Sequence, residues 1–249
     1  MSGHSKWSQI KRTKGVKDAK RGVLFSKLSK KITLAAKSGH SDPALNFQLR
    51  TEIEAARAEG MPNDNIDRAI KKASDKDSVQ MTEAIYEGYG PYGTAFLVEV
   101  ATDNTNRAVQ HIKHAFSKHE RSLGAMGSVA WQFETKGQIL VENNSQFLIS
   151  NSQNKTPSMA ELELIAIDAG ADDVRESEEG LEVYTKPELL QSVRTTLAEA
   201  GASIAQAQII KESSQGVNLT EEQKPKVDAL FAELEDNEDV VAVHTSANL

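Results

Sequence analysis

Cysteine is absent from all 249 residues, which excludes a disulfide scaffold and any thiolate-based metal or redox chemistry. The same absence suits a reducing compartment. Long apolar runs are missing too. The longest uncharged stretches, such as Ser122 to Phe133, fall well short of the roughly 18 apolar residues that a spanning helix needs, so no transmembrane segment is expected. Near the start only Val23-Leu24-Phe25 is strongly apolar, and Ser26 and Lys27 follow at once, which excludes a secretory signal. The chain also lacks a HExxH pair, a nucleophile elbow, a Ser-His-Asp order and a paired-carboxylate cleft, so it does not read as an enzyme.

One more scarcity is local. Acidic residues number 36 in the chain, yet residues 1–40 hold a single one, Asp18. Against it stand eleven cations: Lys6, Lys11, Arg12, Lys14, Lys17, Lys20, Arg21, Lys27, Lys30, Lys31 and Lys37. Eleven against one gives the head +10; the remaining 18 cations against 35 acids give the body −17, and together they make the net −7. A basic head on an acidic body suggests a polyanionic partner. What is present otherwise is ordinary for a soluble protein: 39% hydrophobic, 26% charged and 5% aromatic residues. The length suggests two domains and permits three.

Helical periodicity places Leu24, Phe25, Leu28, Ile32, Ala35 and Ala36 in one arc, with Lys20, Lys27, Lys30, Lys31 and Lys37 opposite, and Gly39 as a stop. Ser41-Asp42-Pro43 reads as a cap and first-turn proline for a second helix that buries Leu45, Leu49, Ile53 and Ala56 and ends at Gly60. A third, after Met61-Pro62-Asn63, buries Ile66, Ala69, Ile70 and Ala73. From about residue 79 the period changes. Thr94 to Ala101 reads as a strand, Asn106 to His119 as a helix and Ser128 to Phe133 as a strand. From Gln138 the order is strand, helix (158–169), two short strands (near 174 and 181–185), helix (187–200) and strand (203–210), which is the βαββαβ ferredoxin-like unit. The closing helix (221–234) and strand (240–244) lack a sheet of their own, and a return to the 79–134 unit would supply one.

Residues 1–22 combine cations with Trp7 and with glycines, Gly15 and Gly22 among them. Cations neutralise phosphates, an aromatic stacks on a base and glycine lets backbone approach a ligand. The alternative is a solvated tail with Trp7 packed on a neighbouring core. Tyr86-Glu87-Gly88-Tyr89-Gly90-Pro91-Tyr92-Gly93 lacks the phosphate-loop pattern and reads as strand-turn-strand, although its tyrosines could stack on a base. Thr102 to Arg107 reads first as a helix cap and second as a site. His111, His114 and His119 have no carboxylate at ligand spacing and read as surface residues, so no metal and no cofactor is expected.

Several of these segments together are recognisable. Gly3-His4-Ser5-Lys6-Trp7, Asp18-Ala19-Lys20-Arg21-Gly22, Phe25-Ser26-Lys27-Leu28, Met61-Pro62, Ile66 with Arg68-Ala69-Ile70, Tyr86 to Pro91, and Thr102-Asp103-Asn104 with Asn106-Arg107 closely resemble the YebC/PmpR family. The match runs from Met1 to about Glu142 and continues more weakly through Leu234-Glu235-Asp236 and Asp239-Val240. The resemblance implies a helical head and two α/β domains without known catalytic activity. Bacterial members are described as DNA-binding transcriptional regulators. Mitochondrial relatives act as translational activators, and ribosome-associated roles at proline-rich nascent chains are reported. The signature starts at Met1, so a cleavable transit peptide is not expected.

The expectations are then an α+β protein with a three-helix domain (1–78), a discontinuous α/β domain (79–134 with 209–249) of mixed or antiparallel sheet, and a ferredoxin-like domain (135–208) inserted into it. Its expected function is non-enzymatic, cytoplasmic nucleic-acid binding in the regulation of gene expression, with DNA as partner and the ribosome or its RNA as the alternative, and no membrane or small-molecule ligand. Expected contacts are His4, Lys6, Trp7, Lys11, Arg12, Lys14, Lys17, Lys20, Arg21, Lys27, Lys30 and Lys31.

Overall fold

A computed structural model describes residues 18–75, 81–143, 157–177 and 179–248. In it helix α1 (Asp18–Ser38) carries the expected apolar stripe, with Leu28, Ile32, Ala35 and Ala36 buried. Helix α2 (Phe47–Ala58) adds Leu49, Ile53 and Ala56, and α3 (Asn63–Ser74) adds Ile66 and Ala69. These side chains and Met61 form one cluster, on which Leu24, Phe25, Ile70 and Ala73 pack. Helices α2 and α3, of 12 residues each, are short enough to depend on neighbouring apolar faces. Thr33 Oγ1 ties α1 to α3 by donating to the Ala69 carbonyl at 2.9 Å.

The start of α2 corrects the sequence reading. Asp42 makes only a local turn, its Oδ1 accepting from Ala44 N–H at 2.9 Å, and Leu45 is 70% exposed rather than buried. The cap is Asn46. Its Oδ1 accepts from Leu49 N–H (3.0 Å), while its amide donates to the Ala35 and His40 carbonyls, both at 2.8 Å. A buried amide with its donors and acceptor satisfied fixes the helix start more firmly than an exposed carboxylate can.

Strands β1 (Thr82–Tyr89) and β2 (Ala95–Thr102) form an antiparallel hairpin with Tyr89 opposite Ala95. Tyr92 (φ 60°) and Gly93 (φ 77°) both adopt left-handed backbone, as a type I′ turn demands. The Tyr-Gly run is therefore strand, turn and strand. Helix α4 (Thr105–Lys118) follows β2, a two-residue β3 (Ser122–Leu123) pairs with β1, and β9 (Val240–Thr245) pairs with β2. The order is β3-β1-β2-β9, so the C-terminal strand does return to this sheet. Helices α4 and α7 (Lys224–Glu235) cover one face: Phe96, Val98 and Val100 meet Ile112, Phe116, Leu230 and Phe231. Gly88 is required there, because a Cβ would lie 2.7 Å from the Phe116 ring. A short parallel pair joins β8 (Val217–Asn218) to β10 (Ala247–Asn248).

The expected strand at Ser128 to Phe133 is a second correction. Residues 124–129 form a loop, Ala130–Gln132 a single 3-10 turn, and β4 begins only at Phe133, running to Glu142. Glu87 is the reason. Its carboxylate accepts from the N–H groups of Gly127 (2.7 Å), Val129 and Ala130 (both 2.8 Å), so these donors are used by a side chain and not by a neighbouring strand.

Beyond β4 come α5 (Met159–Asp168), β5 (Asp173–Ser177), β6 (Gly180–Thr185), α6 (Leu190–Glu199) and β7 (Ile204–Ser213). The strand order β5-β6-β4-β7 puts the first and third strands of the βαββαβ unit in the centre, the ferredoxin-like arrangement. Ser158 and Glu161 close a capping box on α5. The described residues divide into two compact units, Thr135–Lys211 and the remainder; the helical head and the first sheet belong to the same one. The boundary expected near residue 78 falls outside the described residues.

Replacing Asn46 with Ala removes the cap and its amide's bonds to the Ala35 and His40 carbonyls. The expected loss is about 2 kcal/mol, read as a lower midpoint in denaturant titration with unchanged helix content below the transition. A loss within error of zero would mean that another group caps α2.

Candidate nucleic-acid interface

The cations of α1 do not form one solvated face. Lys27 Nζ donates to the Glu235 carbonyl, and Lys30 Nζ donates to the Glu238 carbonyl at 2.7 Å and to Asp239 Oδ1 at 3.0 Å. The receiving surface is the C-terminal end of α7 and the turn into β9. Helix C-termini leave carbonyls without intrahelical partners and carry partial negative charge, so a lysine is well placed there. Burial pushes the Lys27 ammonium down to about 8, against the attraction of Glu235 and Asp236 and assisted by repulsion from Lys31 and Lys30.

Asp239 is the centre of this contact. The residue is 3% exposed, and besides Lys30 it receives a two-pronged contact from Arg107, Nε at 3.1 Å to Oδ2 and Nη2 at 3.0 Å to Oδ1. Burial opposes its ionisation, but the hydrogen bonds from Lys30 and Arg107 prevail and hold its carboxyl below the ordinary range. Arg107 is presented by the first turn of α4, where Asn104 Oδ1 caps by accepting from Arg107 N–H at 3.0 Å. The Thr102–Arg107 segment is thus a helix cap, as expected, and also a joint in which Arg107 reaches Asp103 (2.9 Å) and Asp239.

The other expected contacts are distributed as follows. His4, Lys6, Trp7, Lys11, Arg12, Lys14 and Lys17 lie outside the described residues. Lys20 lies in the first turn of α1 and Arg21, exposed, follows it; Lys31 is half-buried and Lys37, near the end of the helix, is exposed. His111 and His114 are exposed on α4, whereas His119 reaches Glu233 Oε2 at 3.0 Å. Among the described residues no group of three His, Asp or Glu side chains is placed to hold a metal ion, and no helix is long and apolar enough to cross a membrane.

Two family models match the chain, a TACO1/YebC N-terminal domain over residues 5–76 and a TACO1/YebC second and third domain over residues 81–247. The chain belongs to the TACO1/YebC family. Among its relatives are proteins described as probable transcriptional regulatory proteins. The one from Desulfosudis oleivorans is 48% identical over 250 residues, covering 100% of this chain and 97% of that protein. That from Enterococcus faecalis is 43% identical, covering 99% of both. The crystal structure of a conserved hypothetical protein from Aquifex aeolicus is similar with a TM-score of 0.80 and 41% identity, over 92% of this chain and 91% of that one.

Within this TACO1/YebC chain the joint is the feature that composition did not reveal. Lys30 and Asp239 are 209 residues apart, and a charge count treats both as solvated. The available signal was indirect: Asn106-Arg107 and Asp239-Val240 are among the segments that carry the family resemblance.

Asp239→Ala should cost about 3 kcal/mol in denaturant unfolding, since it leaves partly buried cations without their carboxylate. The loss has a defined pH window. The folded pKa of Asp239 lies below its unfolded value near 3.9, so the stabilisation is complete above that value and disappears as pH falls through the folded one. Wild-type and variant stabilities should therefore differ by a constant amount at neutral pH and converge in acid. Equal stabilities at pH 7 would contradict the account.

Lys27 makes an alkaline counterpart. Between about 8 and the unfolded value near 10.4, the unfolded chain binds a proton that the folded one does not. Stability should rise with pH across that interval, and Lys27→Met should remove that part of the slope. An unchanged slope would show that Lys27 keeps an ordinary affinity for its proton.

Proposed function

We propose that this chain is a non-enzymatic, cytoplasmic regulator of gene expression that binds nucleic acid, DNA foremost, through its basic head. The observation that carries the reading is the segregation of charge, +10 (eleven cations, one acid) in residues 1–40 against −17 (18 cations, 35 acids) in the remainder. It confines attraction for a polyanion to one end of the chain. The description of relatives as probable transcriptional regulatory proteins supports the same reading.

The lysines engaged at the α7–β9 corner are removed from the contact set. Lys27 and Lys30 serve the joint, leaving His4, Lys6, Trp7, Lys11, Arg12, Lys14, Lys17, Lys20, Arg21 and Lys31 for the ligand. Cations of this kind neutralise phosphates and release counterions; they position a protein on a duplex without reading its bases. The ribosome or its RNA is the second reading, because it would engage the same cations. Competition between duplex DNA and ribosomes at matched salt separates the two.

If about six head cations engage duplex phosphates, log affinity should fall against log salt with a slope near −5. Arg21→Glu with Lys31→Glu should weaken binding to two unrelated duplexes equally and make the slope shallower by about 0.9 for each phosphate no longer neutralised. A flat salt response in anisotropy titrations between about 50 and 200 mM would overturn the reading.

A further inference from the structure

Four large apolar side chains stand in solvent within a short compass of sequence: Tyr89 (43% exposed), Tyr92 (40%), Met126 (93%) and Trp131 (62%). Scattered exposed apolar groups are ordinary, whereas grouped ones mark binding sites. Tyr89 and Trp131 are neighbours through a shared acceptor: Tyr89 Oη donates to the Ser128 carbonyl at 3.0 Å, and Trp131 Nε1 donates to the same oxygen at 3.1 Å. That oxygen is itself held in place. Ser128 N–H donates to the Ala125 carbonyl at 3.1 Å, and the N–H groups of Gly127, Val129 and Ala130 converge on the buried Glu87 carboxylate. Burial opposes ionisation of Glu87, but these three hydrogen bonds outweigh it and keep the carboxyl below its usual range. Val129 is buried with Ala95 and Leu97 under the loop.

Two rings are therefore fixed by their polar edges while each residue stays substantially exposed. That arrangement decides the chemistry of a ligand. A peptide lying in an aromatic groove offers backbone carbonyls that need donors, and both ring donors here are already used. A base needs only a π-face, and stacking on aromatic side chains is tolerant of which base it is. Arg121, exposed and one residue before the position that pairs with Tyr89, places a cation on the same sheet edge, within the chemistry of a linking phosphate.

We propose that Tyr89 and Trp131, locked to the Ser128 carbonyl, form a stacking platform for an unpaired nucleobase of a single-stranded nucleic acid. The inference rests on the nucleic-acid reading of the head and adds a second, base-contacting point away from it.

The test uses the full chain. The sequence has two tryptophans, so a Trp7→Phe background makes Trp131 the sole reporter. Oligouridylate and oligothymidylate of about twelve nucleotides should quench its emission, the preferred one telling RNA from DNA as source. An abasic oligomer of equal length and a blunt duplex should not. Trp131→Ala and Tyr89→Ala, each in otherwise wild-type protein, should weaken single-strand binding about tenfold while leaving duplex affinity and its salt slope unchanged. Trp131→Phe, which keeps a stacking face, should restore most of the loss. Equal affinity for base-bearing and abasic oligomers, or quenching by a polyproline peptide alone, would overturn the platform while the head reading stands. Failure to bind either duplex or single strand would overturn both.

Discussion

A carboxylate buried without partners is driven to neutralise, and Asp239 avoids this by standing between two cations from different parts of the fold. Lys30 comes from the longest helix of the head and Arg107 from the first turn of the helix that covers the sheet. Much else depends on the arrangement. It fixes α1 against the α7–β9 corner and gives the Asn104 cap a role beyond starting α4, while Lys27 accepts burial near Glu235 and Asp236. Above all it divides one row of lysines into two populations. Lys27 and Lys30 hold the protein together, and under the proposed function the rest of the basic head meets the ligand.

The head's core was legible because its cause is local: side chains every three or four residues meet the same stripe, so Leu28, Ile32, Leu49, Ile53, Ile66 and Ala69 could be placed from spacing alone. The element order βαββαβ followed from alternation and turn residues in the same way. Illegible features share a different cause. At the start of α2 two capping signals compete, and Asn46 wins over Asp42 because the Ala35 carbonyl, eleven positions away, accepts from it. At Ser128 to Phe133 the residue pattern suits a strand, but Glu87, distant in sequence, occupies the backbone donors. Lys30 needs a partner near the other end of the chain. Composition counts its charge and has no access to where that charge is used.

Under the proposed function, the protein would separate two ways of holding a nucleic acid. Charge acts at a distance and without regard to sequence, and in this chain it is concentrated in residues 1–40, most of whose cations precede or begin α1. Stacking acts on contact and needs rigid faces, the part proposed for the loop organised by Glu87 on the first sheet. A body that is otherwise acidic disfavours indiscriminate adsorption of a polyanion, so net −7 is compatible with a nucleic-acid ligand when the charge is this unevenly placed.

In this account the remaining cations of the head, and not the lysines of the joint or the body, carry the ligand. Amine-reactive labelling followed by mass spectrometry, with and without saturating duplex at low salt, addresses that claim residue by residue. Lys6, Lys11, Lys14, Lys17, Lys20 and Lys31 should label in the free protein and become protected by the duplex. Lys27 and Lys30 should label alike with and without the duplex, as should body lysines such as Lys113 and Lys226. Protection centred on the body, or a head whose lysines react alike with and without the duplex, would contradict it.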